Sequence, residues 1–172
     1  MEKLKKLLDR IFIDGLTGMA QGLFATLIVG TIIQQIGSLI GGNVGDMIFV
    51  LGKMAATFTG AGIGVGVAYR FKESPLVVLS AATAGMVGAF AAKLLAGSVL
   101  VDGAMVFAGP GEPLGAFLAA YVGIEFGHLV SGKTKVDILV TPIVTITAGS
   151  AVGLLVGPPI SEFMTALGAL IN

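Results

Sequence analysis

The sequence predicts an all-α membrane protein of about five transmembrane helices, with a re-entrant or interfacial segment and an N-terminal amphipathic helix. Three observations carry that prediction. Fifty-five per cent of the 172 residues are hydrophobic and 12% are charged, where a soluble domain carries about 25% charge. Mean hydropathy is +1.00. The apolar residues also gather into five stretches of spanning length separated by short polar connections, the pattern of helices that cross lipid. Twenty-seven glycines would weaken helices in water, but glycine is common where membrane helices pack closely.

Composition also excludes several functions. The net charge is +0, so nothing electrostatic points to nucleic acid. Cysteine is absent, which removes disulfides, thiolate metal sites and a cysteine nucleophile. One histidine and scattered acids form no recognisable metal site. No nucleophile, base and acid can be assembled, and neither a catalytic residue nor a cofactor is assigned.

Residues 1–14 are expected to form an amphipathic helix on the membrane surface, a unit distinct from the membrane domain at 15–172. Leu4, Leu7, Leu8, Ile11 and Phe12 fall at helical spacing, with Lys3, Lys5, Lys6 and Arg10 between them. The apolar run that follows is too long for a signal peptide and no small-residue cleavage site closes it. Residues 15–40 form the first span, free of charge; its length exceeds the roughly 30 Å hydrocarbon core, so tilt is expected. Gly18 and Gly22 make a small-xxx-small pair. Gln21, Gln34 and Gln35 need partners in lipid and are expected to face protein or water, which makes Gln21 a candidate substrate contact. Residues 41–46 are a turn by composition.

The second span, 47–69, contains Lys53 and glycines at 60, 62, 64 and 66. No Lys-Ser/Thr follows them and no strand precedes, so a nucleotide-binding loop is excluded. Close packing and a locally unwound helix both fit the alternation. After the charged connection 70–74, Pro75 suits the first turn of a third span ending near Gly97, with Lys93 snorkelling near its far end. Residues 99–108 are apolar but too short to cross, and are expected to be re-entrant or interfacial; Asp102 is a turn residue there. They lead into Gly109-Pro110-Gly111-Glu112-Pro113. Two readings of that loop are open: it dips toward a cavity and presents Glu112, or it is a solvated connection.

The fourth span, 114–130, carries Gly115, Ala119, Gly123 and Gly127 at four-residue intervals, and Tyr121, Glu125 and His128 on an adjoining face. The fifth runs over 137–157, with Thr141, Thr145 and Gly149 on one side, and is expected to stop at Gly157-Pro158-Pro159. A further amphipathic helix then begins at Ser161. Ionisable groups inside a membrane are functional candidates, so Glu112, Glu125 and His128 are candidate substrate contacts together with Gln21 and Thr145.

Lys3, Lys5, Lys6, Arg10, Arg70, Lys72, Lys133 and Lys135 all fall on one side if there are five spans, and the opposite connections carry no basic residue. The positive-inside rule then places the N-terminus in the cytoplasm and the C-terminus outside. So strong a bias excludes insertion in both orientations.

The order of hydrophobic segments and the Gly-Pro-Gly-Glu-Pro loop resemble enzyme IIC, the membrane permease of bacterial sugar phosphotransferase systems, and especially its branch that includes perfringolysin-type regulators. Enzyme IIC proteins commonly carry a Gly-x-Thr-Glu-Pro loop whose glutamate binds the sugar. Glu112-Pro113 matches the end of that pattern, while Gly111 stands where the threonine would be. The resemblance implies a carbohydrate ligand, a bacterial plasma-membrane location and soluble phosphotransferase domains as partners. Family members are about twice as long, so it also implies the N-terminal half of a longer unit, its other half supplied by a second copy, by another chain, or not at all. A non-transporting regulator or sensor and a small channel are the competing functions.

Overall fold

The structure, a computed structural model, describes residues 2–171. Helix α1 covers residues 2–40 without interruption, α-helical except for two π-helical stretches at Asp9–Gly15 and Phe24–Ile28. The boundary expected at residue 14 is therefore no break in the backbone: the N-terminal residues and the first span are one helix, and the wider π turns absorb the change of face. Leu4, Leu7, Leu8 and Phe12 remain exposed, whereas Ile11 packs against the core.

A turn at Gly41, with φ of 67°, reverses the chain into α2 (Gly42–Thr57). Helix α3 (Thr59–Arg70) follows at a bend of 51° around Phe58. The second span is thus a broken pair, but α3 itself stays wound. Its alternating glycines resolve into two four-residue seams on two faces. Gly62 and Gly66 lie against Gly22 and Gly18 of α1, and Gly60 and Gly64 lie against the backbone of α4 (Pro75–Leu95) at Gly85 and Ala81. A period of two along the sequence is here two periods of four, one per neighbour. The same device joins α1 to α2, where Gly37 meets Gly45 and Gly30 meets Gly52.

Residues 99–108, expected to be re-entrant or interfacial, contain a small antiparallel hairpin, β1 (Leu100–Val101) with β2 (Ala104–Met105). Asp102 and Gly103 form its two-residue turn at φ of 50° and 79°, and Asp-Gly is a strong signal for such a turn. Helices α5 (Pro113–Val130) and α6 (Asp137–Ile171) complete a packed group with α4. The Gly115–Gly127 seam serves both neighbours: Gly115 touches Gly88 of α4, and Gly123 touches Thr145 and Gly149 of α6.

Helix α6 does not stop at Gly157-Pro158-Pro159; it continues through all three of its prolines, so the separate helix expected from Ser161 is its own extension. Proline's fixed φ is compatible with a helix; what it removes is a donor and the ease with which the carbonyl four residues earlier is accommodated. Here those carbonyls are Leu154 and Leu155, and membrane helices tolerate such gaps. Gly157 meanwhile packs on Ala91 and holds the segment to α4. Residues 162–170 are exposed throughout.

Among the described residues, four helices are long and apolar enough to cross a membrane, and the bent pair α2–α3, counted as one span, makes five. Ile63, Val67, Phe90 and Ile124 are fully buried at the centre of the bundle.

The seams predict a contrast. Gly64→Ala puts a methyl group into the Ala81 carbonyl and is expected to destabilise the protein by about 1–3 kcal/mol. Gly168, with open space around it, should tolerate alanine or gain up to about 1 kcal/mol. Thermal unfolding of detergent-purified variants measures both.

Candidate functional site

Glu112 sits where the loop after the hairpin meets α4. Gly111, at φ of 75°, lies so close to Ala89 that an added Cβ would come within 2.7 Å of the Ala89 methyl and carbonyl oxygen. Only glycine fits there. The next amide, Glu112 N–H, donates to the Ala89 carbonyl at 2.7 Å. Ala89 lies six residues before the end of α4, about 9 Å inside it at the helical rise. Two further contacts hold the loop down: Lys93 Nζ donates to the Ala108 carbonyl at 2.6 Å, and the Phe107 ring packs on Phe90 with centroids 4.9 Å apart.

The Glu112 side chain caps α5. Its Oε1 accepts the Leu114 N–H at 2.9 Å, with Pro113 at the first helical position. The second carboxylate oxygen has no hydrogen bond within the described residues. Between this loop, α4 and α6 lies a cavity of about 250 Å³, lined by Ala89, Lys93, Ala108, Gly111, Glu112 and Ser161 among others. It offers a carboxylate, an ammonium and a hydroxyl set in small apolar residues, a composition suited to a small polyhydroxylated solute. The loop is docked on α4 and lines this cavity.

Glu125 and His128 lie at the other end of α5. Glu125 is thirteen residues from Glu112 along the helix, about 20 Å at the helical rise, so one small solute cannot touch both. Glu125 Oε1 accepts from Arg10 Nε at 2.9 Å, and Arg10 Nη2 reaches Glu73 Oε1 at 3.1 Å. Glu73 Oε2 in turn lies 2.8 Å from His128 Nδ1. The Glu73 side chain is only 4% exposed, and both of its oxygens are engaged, as a buried carboxylate requires. The Arg10 guanidinium lies 4.1 Å from the centroid of the Phe71 ring, which meets Tyr121 edge-on. Beside them Arg70 Nη2 pairs with Asp14 at 2.8 Å, and Ser74 bonds Ser131. These contacts gather the start of α1 and the connections 71–74 and 131–136 at one end of the bundle, the basic end of the sequence.

Gln21 and Thr145 join neither cluster. Gln21 is exposed on the outer face of α1. Thr145 is fully buried, donates to the Thr141 carbonyl at 2.8 Å and packs against Gly127. The structure adds two residues that the sequence did not single out as site groups, Lys93 in the cavity and Glu73 at the centre of the ionic cluster. Among the described residues no group of three His, Asp or Glu side chains could hold a metal ion.

No curated protein and no solved structure matches the chain. The family described as phosphotransferase system, EIIC, matches residues 13–172. That stretch takes in the glycine seams, the docked Glu112 loop and the greater part of all five spans, and the chain belongs to the phosphotransferase-system EIIC family.

Proposed function

We propose that this chain is the carbohydrate-binding membrane component of a sugar phosphotransferase system, and that the cavity at Glu112 is its solute site. One observation carries the reading: a carboxylate with one oxygen spent on the α5 cap and the other unbonded faces a cavity whose loop is pinned to α4. A sugar hydroxyl donating to the free oxygen would complete its hydrogen bonding, and charged acceptors make the stronger bonds. Lys93 supplies donors to a second hydroxyl or ring oxygen. Phosphoryl transfer would belong to soluble partner domains, and a second copy or half-chain would complete the translocation path.

At the basic end, Glu125 and His128 act with Arg10 and Glu73 as a charged seal rather than as sugar ligands. The basic end faces the cytoplasm of a bacterial cell, leaving the Glu112 cavity toward the outside.

Three outcomes are expected. Glu112→Gln weakens carbohydrate binding by about 10-fold or more, the loss of a hydrogen bond to a charged group, in calorimetry with a monosaccharide panel; unchanged affinity removes Glu112 from the site. Cysteines introduced as Ala104→Cys and Thr134→Cys should differ on intact cells, with only the first reacting with an impermeant thiol reagent. In the ionic cluster, Arg10→Gln should destabilise more than Glu125→Gln, by about 3 kcal/mol, because it strips a partner from buried Glu73. Equal effects in thermal unfolding would show that Glu73 does not depend on Arg10.

A further inference from the structure

A second cavity, of about 350 Å³, opens at the basic end and is lined by Tyr69, Arg70, Lys72 and Glu73. We propose that it binds a phosphate group.

The first support is Lys72. Helix α3 ends with Glu73 N–H donating to the Ala68 carbonyl at 3.1 Å and Lys72 N–H to the Tyr69 carbonyl at 3.0 Å. This double closure places the donor of its inner bond in the left-handed region, and glycine is usual there. The chain instead has Lys72, at φ of 58°. A side chain in that conformation is strained where glycine is not, and strain kept at a cavity rim points to a use for the side chain. The same closure occupies the Ala68 and Tyr69 carbonyls with the chain's own amides.

The second support is Arg70. Only its Nη2 bonds within the described residues, to Asp14. Its Nε is buried without a partner, although the side chain as a whole is 37% exposed. A guanidinium has five N–H donors in a planar fork that matches phosphate oxygens, and this one lines the cavity with only Nη2 engaged among the described residues. Glu73, the acid on the cavity wall, does not oppose an anion at full strength: its two oxygens are held by Arg10 and His128. Tyr69, 74% exposed, brings a hydroxyl and an aromatic face of the kind found at headgroup level. The phosphate could come from an anionic phospholipid headgroup on this side of the bilayer or from a soluble phosphomonoester.

The test uses the purified full chain in phosphatidylcholine nanodiscs, with or without phosphatidylglycerol, and with inorganic phosphate or chloride at matched ionic strength. A ligand of the folded state raises the melting temperature. For the native sequence a rise is expected with phosphatidylglycerol, with phosphate, or with both. A response to the lipid alone assigns a headgroup, and a response to phosphate assigns a soluble phosphoester. Lys72→Gly should melt higher than the native protein in plain phosphatidylcholine, because the left-handed strain is gone, yet lose the response. Arg70→Gln should also lose it. No rise with either addition overturns the proposal. So does a rise that persists in Lys72→Gly, since the diffuse charge of neighbours such as Lys133 and Lys135 would then account for it.

Discussion

The fold depends on how closely α3 approaches its two neighbours. Lipid tails are as apolar as leucine, so membrane helices gain little from burying apolar surface against one another; they associate by van der Waals contact and by what their polar groups can reach. Gly62 and Gly66 bring α3 onto the backbone of α1, and Gly60 and Gly64 bring it onto α4. Seams of this kind also fix the relative height of the helices, because each glycine accepts only its own partner's backbone. With α1 registered through Gly18 and Gly22, Arg10 arrives level with Glu73 and Glu125. With α4 registered against α5 through Gly88 and Gly115, Ala89 is in place to receive Gly111. Both polar clusters are consequences of backbone contact in the apolar middle.

The helices were legible because length and apolar content decide them in lipid. Pro75 marked a start that the structure keeps, since a proline at the first position removes no bond the helix would have made. The same residue type misled at Pro158 and Pro159. A proline pair leaves two carbonyls unpaired but forces no turn, and whether the helix continues is decided by what Gly157 packs against, a fact about Ala91. The alternation at 60–66 had no single-helix explanation because it records two neighbours at once. Residues 2–14 and the first span run on as one helix for a related reason: a π turn can change the face a helix presents without ending it. In the hairpin, apolar content outweighed Asp102-Gly103 although that pair was the better guide.

Site residues divide by the sequence distance of their partners. Glu112 stood out because an acid between prolines and glycines is unusual in so apolar a chain, and its cap partner Leu114 is two positions away. Lys93 and Glu73 could not stand out. Lys93 finds the Ala108 carbonyl fifteen positions on, and Glu73 finds Arg10 and His128 at separations of 63 and 55. Until those partners are known, a lysine near a helix end reads as snorkelling and an acid in a charged connection reads as solvated.

The two ends of the bundle treat charge differently. At the basic end, Arg10, Glu73, Glu125 and His128 satisfy one another, with Phe71 beneath the guanidinium; parting Glu73 from its partners would leave a buried carboxylate uncompensated. At the other end, Glu112 is half satisfied by the α5 cap, and Lys93 spends one of its three donors on Ala108. A cluster that completes its own bonding has little to offer a neutral solute. One that leaves an acceptor and donors toward a cavity can bind hydroxyl groups while rejecting apolar molecules of similar size, since those would bury the polar groups unpaired. The incompleteness of the Glu112 cluster is therefore the physical ground of the proposal that a solute binds at that end and that the other is a structural closure.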